Sequence, residues 1–291
     1  VPFLWVLLFY FMTGLWIWKK NGQNRHIRIS LAYVIMIILI WIPMARRKSL
    51  AFLDVGQGDC FVADTKSGAI IFDGGSSSED QVGRYRILPY MKYLGYQKIQ
   101  IAVISHMDID HYSGIKELLE RGKIKYLGLP EIPKDETMKK VIGIAKKRGT
   151  TIFYLSRGRQ ITTKDGSLKV LHPQKNSQME KNAASLVMQG KILGYRVLLT
   201  GDVEKEGEEE LLSEELERAD ILKAAHHGSK NSTSNEFLQK VQPKQTVISC
   251  GKQNRYGHPH LETIHRLQTY RTKIYRTDRS GAIIFFKRRD G

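Results

Sequence analysis

The sequence predicts a layered α/β domain, with sheets inside and helices outside, preceded by two apolar segments of membrane-spanning length. Three observations predict this. The first 45 residues hold two long uncharged stretches, 1–18 and 29–45. Beyond them, short apolar runs alternate with amphipathic ones, the pattern of stacked strands and helices. The run at 99–105, Ile-Gln-Ile-Ala-Val-Ile-Ser, has the character of a strand buried on both faces of a sheet.

The apolar stretches sit near the lower limit, about 17 residues, for crossing a bilayer as helix. Neither shows the polar face of a core helix. Residues 1–18 lack the basic start and small-residue cleavage site of a signal peptide. Trp5, Trp16, Trp18 and Trp41 near the ends suit a membrane interface. The connecting loop carries Lys19, Lys20, Arg25 and Arg28 and no acid, whereas Arg46, Arg47 and Lys48 follow the second stretch. That slight excess leans toward a cytoplasmic loop, a multi-pass cell-membrane protein and a soluble domain on the extracellular side. The expected division is two transmembrane helices over 1–45 and one soluble domain over 46–291. The chain opens on Val1, which reads as a piece of a longer protein.

In the soluble part, strands are expected at 49–55 and 60–64 around the turn Gly56-Gln57-Gly58, then at 69–73, ending in Gly74-Gly75. After the strand at 99–105 come a helix at 113–121, a strand at 125–129 and a helix at 135–147. Strands follow at 167–171, 185–188 and 195–200, then an acidic helix at 204–219. A strand at 221–225, a helix at 234–241, a strand at 245–250, a helix at 261–270 and strands at 273–275 and 282–286 complete the chain. No internal repeat is visible.

Of the 291 residues, 42% are hydrophobic and 26% charged, which excludes disordered and fibrous classes. Lys and Arg number 46 against 29 Asp and Glu, a net charge of +17, and most of the excess falls in the soluble part. That balance suits acidic partners such as nucleic acid or anionic lipid. Cys60 and Cys250 alone build neither a disulfide framework nor a four-cysteine zinc site.

The strongest chemical signal is His106-Met107-Asp108-Ile109-Asp110-His111, four potential metal ligands directly after an apolar strand. Strand ends in α/β proteins converge on one cleft, and two imidazoles with two carboxylates can hold one or two divalent ions. Thr200-Gly201-Asp202, His226-His227-Gly228-Ser229 and Tyr256-Gly257-His258-Pro259-His260 repeat the arrangement of strand, glycine and ligand-type residue. Singly each is weak. Asp202 alone is more often a helix N-cap, and His226 or His227 alone is more often a hydrogen-bonded loop histidine.

Together these residues resemble the metallo-β-lactamase superfamily, whose HxHxDH motif stands here as HxDxDH. The stretches 53–59, 182–187 and 198–202, the His226-His227-Gly228-Ser229 motif and the stretch 254–259 resemble the C-terminal domain of ComEC-type DNA-uptake proteins. The resemblance covers about residues 49–287. It implies an αββα sandwich with a one- or two-ion site. It implies that His106 and Asp108 hold a first ion, Asp110 and His111 a second, and that Asp202 bridges them. His227 would complete the second site, with His226 as the substitute. Where the family supplies a further histidine to the first ion, this chain offers Asn182 and Ser185. More carboxylate and less imidazole shifts preference from zinc toward manganese.

The expected activity is metal-dependent phosphodiester hydrolysis of DNA beside a membrane channel, in company with other uptake proteins. Asp110 or Asp202 would orient the attacking water, His258 would assist at the phosphate, and Ser229, Asn182, Ser185 and Tyr256 would contact substrate. Two alternatives stay open at this point: a DNA-binding module that no longer catalyses, and a hydrolase of small esters or lactams.

Overall fold

The computed structural model describes residues 9–15, 30–31, 33–34, 47–180 and 182–288. The chain forms two units, Val1–Arg47 and Lys48–Gly291. In the first, residues 9–15 are helical. The Thr13 hydroxyl donates to the Phe9 carbonyl at 2.7 Å, and the Phe9 and Tyr33 ring centres lie 5.4 Å apart. Among the described residues no helix is long and apolar enough to cross a membrane. The two expected spans lie mostly outside those residues.

The second unit is built on two seven-stranded sheets. The first contains β1 (Ser49–Phe52), β2 (Phe61–Thr65), β3 (Gly68–Phe72), β4 (Ile99–Val103), β5 (Ile124–Pro130) and β6 (Thr151–Leu155), with the last strand, β14 (Ile283–Phe286), added beside β1. The second runs in order β13 (Lys273–Arg276), β12 (Gln245–Ile248), β11 (Ile221–Lys223), β10 (Tyr195–Leu199), β9 (Val187–Ile192), β8 (Gly166–His172), β7 (Gln160–Thr163). In each sheet three antiparallel pairings give way to three parallel ones. The two halves therefore share one topology that the sequence shows no trace of.

Strand alternation divides the apolar side chains among three cores. Leu50, Phe52, Ile70, Phe72, Val197 and Leu199 point between the sheets, with Phe285 from β14. Ala51, Ala69 and Ile71 point the other way. They meet α1 (Leu88–Tyr93), α2 (Ile109–Glu120) and α3 (Glu136–Lys147), which cover the outer face of the first sheet. Leu198 and Leu222 meet α4 (Lys205–Leu212), α5 (Asn235–Val241) and α6 (Leu261–Thr269) on the second. The layers are thus α, β, β, α.

Several local expectations shift. The acidic helix expected over 204–219 stops at Leu212. Glu214, Glu215 and Glu217 would sit at its C-terminus, where the helix dipole disfavours negative charge. Glu214 instead pairs with Arg157 at 2.7 Å, and the Gln189 side chain ties down the Glu217 backbone at 2.7 and 3.1 Å. The strand expected at 185–188 begins only at Val187, because Ser185 closes a turn on the Asn182 carbonyl at 3.0 Å. Strands β6 and β7 and the segment 83–93 are additions to the expected set.

Phe52 is 1% exposed between the sheets, its ring 5.0 Å from Phe61 and 6.3 Å from Phe285. Replacing it by alanine is expected to lower stability by about 3–5 kcal/mol. Denaturant unfolding of the chain checks this, and a loss below about 1 kcal/mol would contradict the core assignment.

Candidate metal centre

The parallel strands β3 and β4 of one sheet, and β10, β11 and β12 of the other, deliver the polar side chains at their C-terminal ends. Asp73 follows β3, His106 follows β4, Asp202 follows β10, His226 and His227 follow β11, and Ser249 and His258 follow β12. Asp108 is the N-cap of α2 in extended conformation. Its main-chain carbonyl accepts from His111 and Tyr112, while its side chain does not cap the helix but lies 3.6 Å from His106 Nε2. Asp110 and His111 occupy the first helical turn.

Close backbone approaches shape the centre. A Cβ on Gly75 would stand 2.5 Å from the backbone of Ile109, Asp110 and His111, so only glycine lets the β3 loop lie against the start of α2. His226 and His227 both adopt left-handed backbone conformations, at φ 47° and 53°. Such strain at non-glycine residues costs on the order of 1–3 kcal/mol each and is tolerated where function needs it. Glu208, 3% exposed, clamps the following loop by accepting from the Thr233 and Ser234 amides, each at 2.7 Å.

The imidazoles come together. Ring centres of His106 and His111 are 4.1 Å apart, and those of His111 and His227 are 5.3 Å apart. Asp202 Oδ2 lies 3.1 Å from His111 Nε2, 3.3 Å from His227 Nε2 and 3.8 Å from His226 Nε2, and Asp110 Oδ2 is 3.3 Å from His227 Nε2.

The other ring nitrogen is fastened from behind in every case. Asp73 holds His111 Nδ1 at 3.0 Å, the Ser249 carbonyl holds His227 Nδ1 at 2.9 Å, and Glu204 holds His226 Nδ1 at 2.7 Å. Carboxylates and carbonyls only accept, so these Nδ1 atoms carry protons and donate. His106 Nδ1 is held by the hydroxyls of Ser105 and Ser185 at 3.0 and 3.2 Å. The Nε2 atoms of His106, His111 and His227 are buried and make no hydrogen bond. Buried polar atoms without partners are costly, and three converging imidazole nitrogens beside carboxylates are the donor set that a divalent ion satisfies. The residues present therefore fit such an ion.

Asp59, His111, Asp202 and His227 also offer ligand atoms within 4.8 Å of one another. Asp59, however, meets the imidazoles on their Nδ1 side, 3.7 Å from His111 and 3.6 Å from His227, where the protons sit. Its partner is Lys223, a lysine 4% exposed that makes a close ion pair with it. Lys223 also donates to the Gly201 carbonyl at 2.9 Å and lies 3.4 Å from Asp202 Oδ1. The ammonium thus engages one oxygen of Asp202 while the other faces the histidines.

Burial would raise the Asp202 pKa, but His111, His227 and Lys223 hold it well below the usual carboxylate range. Burial would lower His111 and His227, yet Asp202, with Asp73 at one ring and Asp59 at the other, pushes both well above the ordinary imidazole value. For Asp59, burial is outweighed by Lys223 and His227, and the carboxyl falls to about 2. Burial, with His227 and His226 nearby, brings His258 down to about 4, so its ring is neutral at pH 7.

The remaining expected residues are placed as follows. Ser185 is fully buried, facing the back of His106 and accepting the Asp202 amide at 3.3 Å. Ser229 is 4% exposed and its hydroxyl accepts the Asn231 amide. Asn182 lies on the rim of a cavity of about 710 Å³ with Glu180, Ala183 and Glu204. His258 is half-buried, its ring 5.7 Å from the exposed Tyr256 and 5.4 Å from His226. Sequence reasoning passed over Asp59, Asp73, Glu204, Lys223 and the Ser249 carbonyl. Asp73 carries a usable signal, because an apolar strand, an acid and Gly74-Gly75 repeat the arrangement found at the other ligands.

The profile of the metallo-β-lactamase superfamily matches residues 53–252. The chain belongs to the metallo-β-lactamase superfamily. Among curated relatives, it is 35% identical to "ComE operon protein 3" of Bacillus subtilis, over 94% of this chain and 38% of that protein. It is 30% identical to "Competence protein ComA" of Neisseria gonorrhoeae, over 82% of this chain and 32% of that protein. The chain thus spans about a third of the length of these relatives. Among solved structures, the metallo-β-lactamase fold protein YhfI of Bacillus subtilis superposes with a TM-score of 0.53 at 12% identity, covering 81% of this chain and 99% of that one. That likeness concerns the fold alone.

Asp73→Ala frees His111 Nδ1 and with it the ring's orientation. Losing such a supporting partner is expected to weaken Mn²⁺ or Zn²⁺ binding by roughly 10–100-fold. Calorimetric titration checks this; an unchanged affinity would show that the anchoring is irrelevant to the ion.

Proposed function

We propose that this chain is the metal-dependent phosphodiesterase part of a DNA-uptake protein, held at the cell membrane by its two apolar segments, with the catalytic unit on the extracellular side. The observation that carries the reading is the convergence of unpartnered histidine Nε2 atoms on Asp202 Oδ2. Asp108, Asp110 and Asp202 make the donor set rich in carboxylate, which suits hard ions such as Mn²⁺ as well as Zn²⁺. The positive charge of the chain suits a polyanionic substrate, and one curated relative, "Competence protein ComA", is a competence protein by name.

His106 and Asp108 would hold one ion, and Asp110, His111 and His227 a second, with Asp202 shared by both and His226 beside Asp202. Divalent ions there would supply a Lewis acid for a phosphoryl oxygen and an acidified water near neutral pH. Around them the chain does the rest. Asp110 and Asp202 accept hydrogen bonds from the attacking water and aim it. The neutral ring of His258, with Tyr256 beside it, lines the rim; it is placed to hydrogen-bond a phosphate ester and to accept a proton. His111, His227 and Lys223 keep Asp202 ionised, and Lys223 holds it in place.

A second reading has one observation in its favour. Ser185, at the position where the family supplies another ligand to the first ion, is turned to the back of His106. A first site of only His106, Asp108 and Asp202 suits weak occupancy, and hence a module that binds DNA without cutting it.

A cleavage time course decides between the two. With Mn²⁺ or Zn²⁺ the chain should degrade DNA, and chelator, His106→Ala or Asp202→Ala should each abolish turnover. Salt-sensitive binding with no cleavage under any divalent ion would favour the binding module. Cutting that survives chelator and both substitutions would refute the centre.

A further inference from the structure

Two depressions lie on one side of the centre and share the first turn of α3. The first, about 240 Å³, is lined by His106 itself, by Met107, Met138 and Met179, and by Ile132 and Pro133, with Asp135, Ser177 and Gln178 at its polar edge. The second, about 590 Å³, runs between α2 and α3. Its walls carry Tyr112, Lys116 and Glu120 from α2, and Thr137, Lys140, Gly143 and Lys147 from α3.

The topology orients this groove. Helices α2 and α3 are successive crossovers between the parallel strands β4, β5 and β6, so both start at the strand edge that carries the ligands. Tyr112 directly follows His111, and Thr137 directly precedes Met138 of the first depression. The groove therefore begins near the ligand-bearing edge, beside the first depression that His106 lines, and leads away along both helices for about 18 Å, the length of twelve helical residues.

We propose that this pair of depressions is a track for a single DNA strand, resting on the reading of the centre as a phosphodiesterase. An apolar, methionine-lined cavity next to His106 suits an unstacked base, because soft, adaptable side chains pack against any base face. A duplex keeps its bases stacked and cannot enter it. Lys116, Lys140 and Lys147 are all exposed, so their ammonium groups are available to backbone phosphates. Glu120 is the one acid lining the groove, and its pairing with Lys116, at 3.9 Å between two largely exposed groups, is weak. At Gly143 an added Cβ would meet nothing within 4 Å, which leaves room for a sugar–phosphate chain against the helix. Tyr112, at the inner end, offers a ring for stacking. The centre would then take substrate as a single or frayed strand.

Binding of a fluorescent dT15 oligonucleotide to the full chain, read by anisotropy in chelator so that no turnover intervenes, tests the track. The triple variant Lys116→Ala, Lys140→Ala, Lys147→Ala changes surface residues only. It is expected to weaken binding at least tenfold near 100 mM salt, and to make the slope of log affinity against log salt shallower by about 2, roughly 0.7 per lost phosphate contact. Met179→Asp, which puts a charge into the base cavity, should weaken it by about tenfold. The unsubstituted chain should bind dT15 more tightly than a closed hairpin duplex of equal charge. Equal affinity and slope in the triple variant would overturn the track, as would a preference for the hairpin. Failure of the phosphodiesterase reading would show separately, as no cleavage by the unsubstituted chain with Mn²⁺.

Discussion

The Nδ1 atoms of His111, His226 and His227 face a carboxylate, a second carboxylate and a backbone carbonyl, acceptors that only a protonated nitrogen satisfies. This fixes each ring's orientation and tautomer, and it leaves each Nε2 pointing into the same small volume. The arrangement is assembled from both sheets. Asp73 and His111 come from the first, while Glu204, His226, His227 and Ser249 come from the second. Any slip of one sheet against the other would separate a ring from its support or from Asp202, so the centre depends on the core between the sheets as directly as on its own hydrogen bonds.

Two buried charge relays stabilise the cluster. Lys223 lies between Asp59 and Asp202, and His111 between Asp73 and Asp202. Buried ion pairs add little net stability when compared with apolar packing, yet removing one partner is strongly destabilising. They are therefore better understood as positioning devices. Lys223, with His111 and His227, keeps Asp202 ionised, and it takes one of the carboxylate oxygens, which determines the oxygen offered to the histidines. The left-handed backbone at His226 and His227 acts in the same sense: the strain is held by Glu208 behind the loop, and both rings gain access to Asp202.

Much of this was legible in the sequence, and the losses have physical causes. The HxDxDH segment is visible because all four ligands belong to one strand end and one helical turn, where local spacing determines geometry. Asp202, His226 and His227 are visible because each follows an apolar strand with a glycine nearby. Asp59 and Lys223 escape because their roles exist only between elements distant in sequence, and Asp73, although its strand end resembles those of the ligands, because its partner is equally remote. Asp73 and His111 are 38 residues apart, and Lys223 looks like an ordinary edge of β11. The layered class was readable from the apolar runs. The shared topology of the two sheets was not, since alternation specifies that a side chain is buried, not which residue does the burying, and no repeat is visible between the halves. The acidic helix was overextended because its composition is helical while its closing charges oppose the helix dipole.

The central claim is that ions bind to the Nε2 side of the rings, with Asp202, and not to the Nδ1 side, with Asp59. A crystal structure of the chain grown with Mn²⁺, examined for anomalous scattering, tests this most directly. The account predicts peaks at ligand distances of roughly 2 Å from the Nε2 atoms of His111 and His227, with Asp59 still paired to Lys223. A peak bonded to Asp59 on the Nδ1 side, or no peak among these histidines at saturating Mn²⁺, would contradict it.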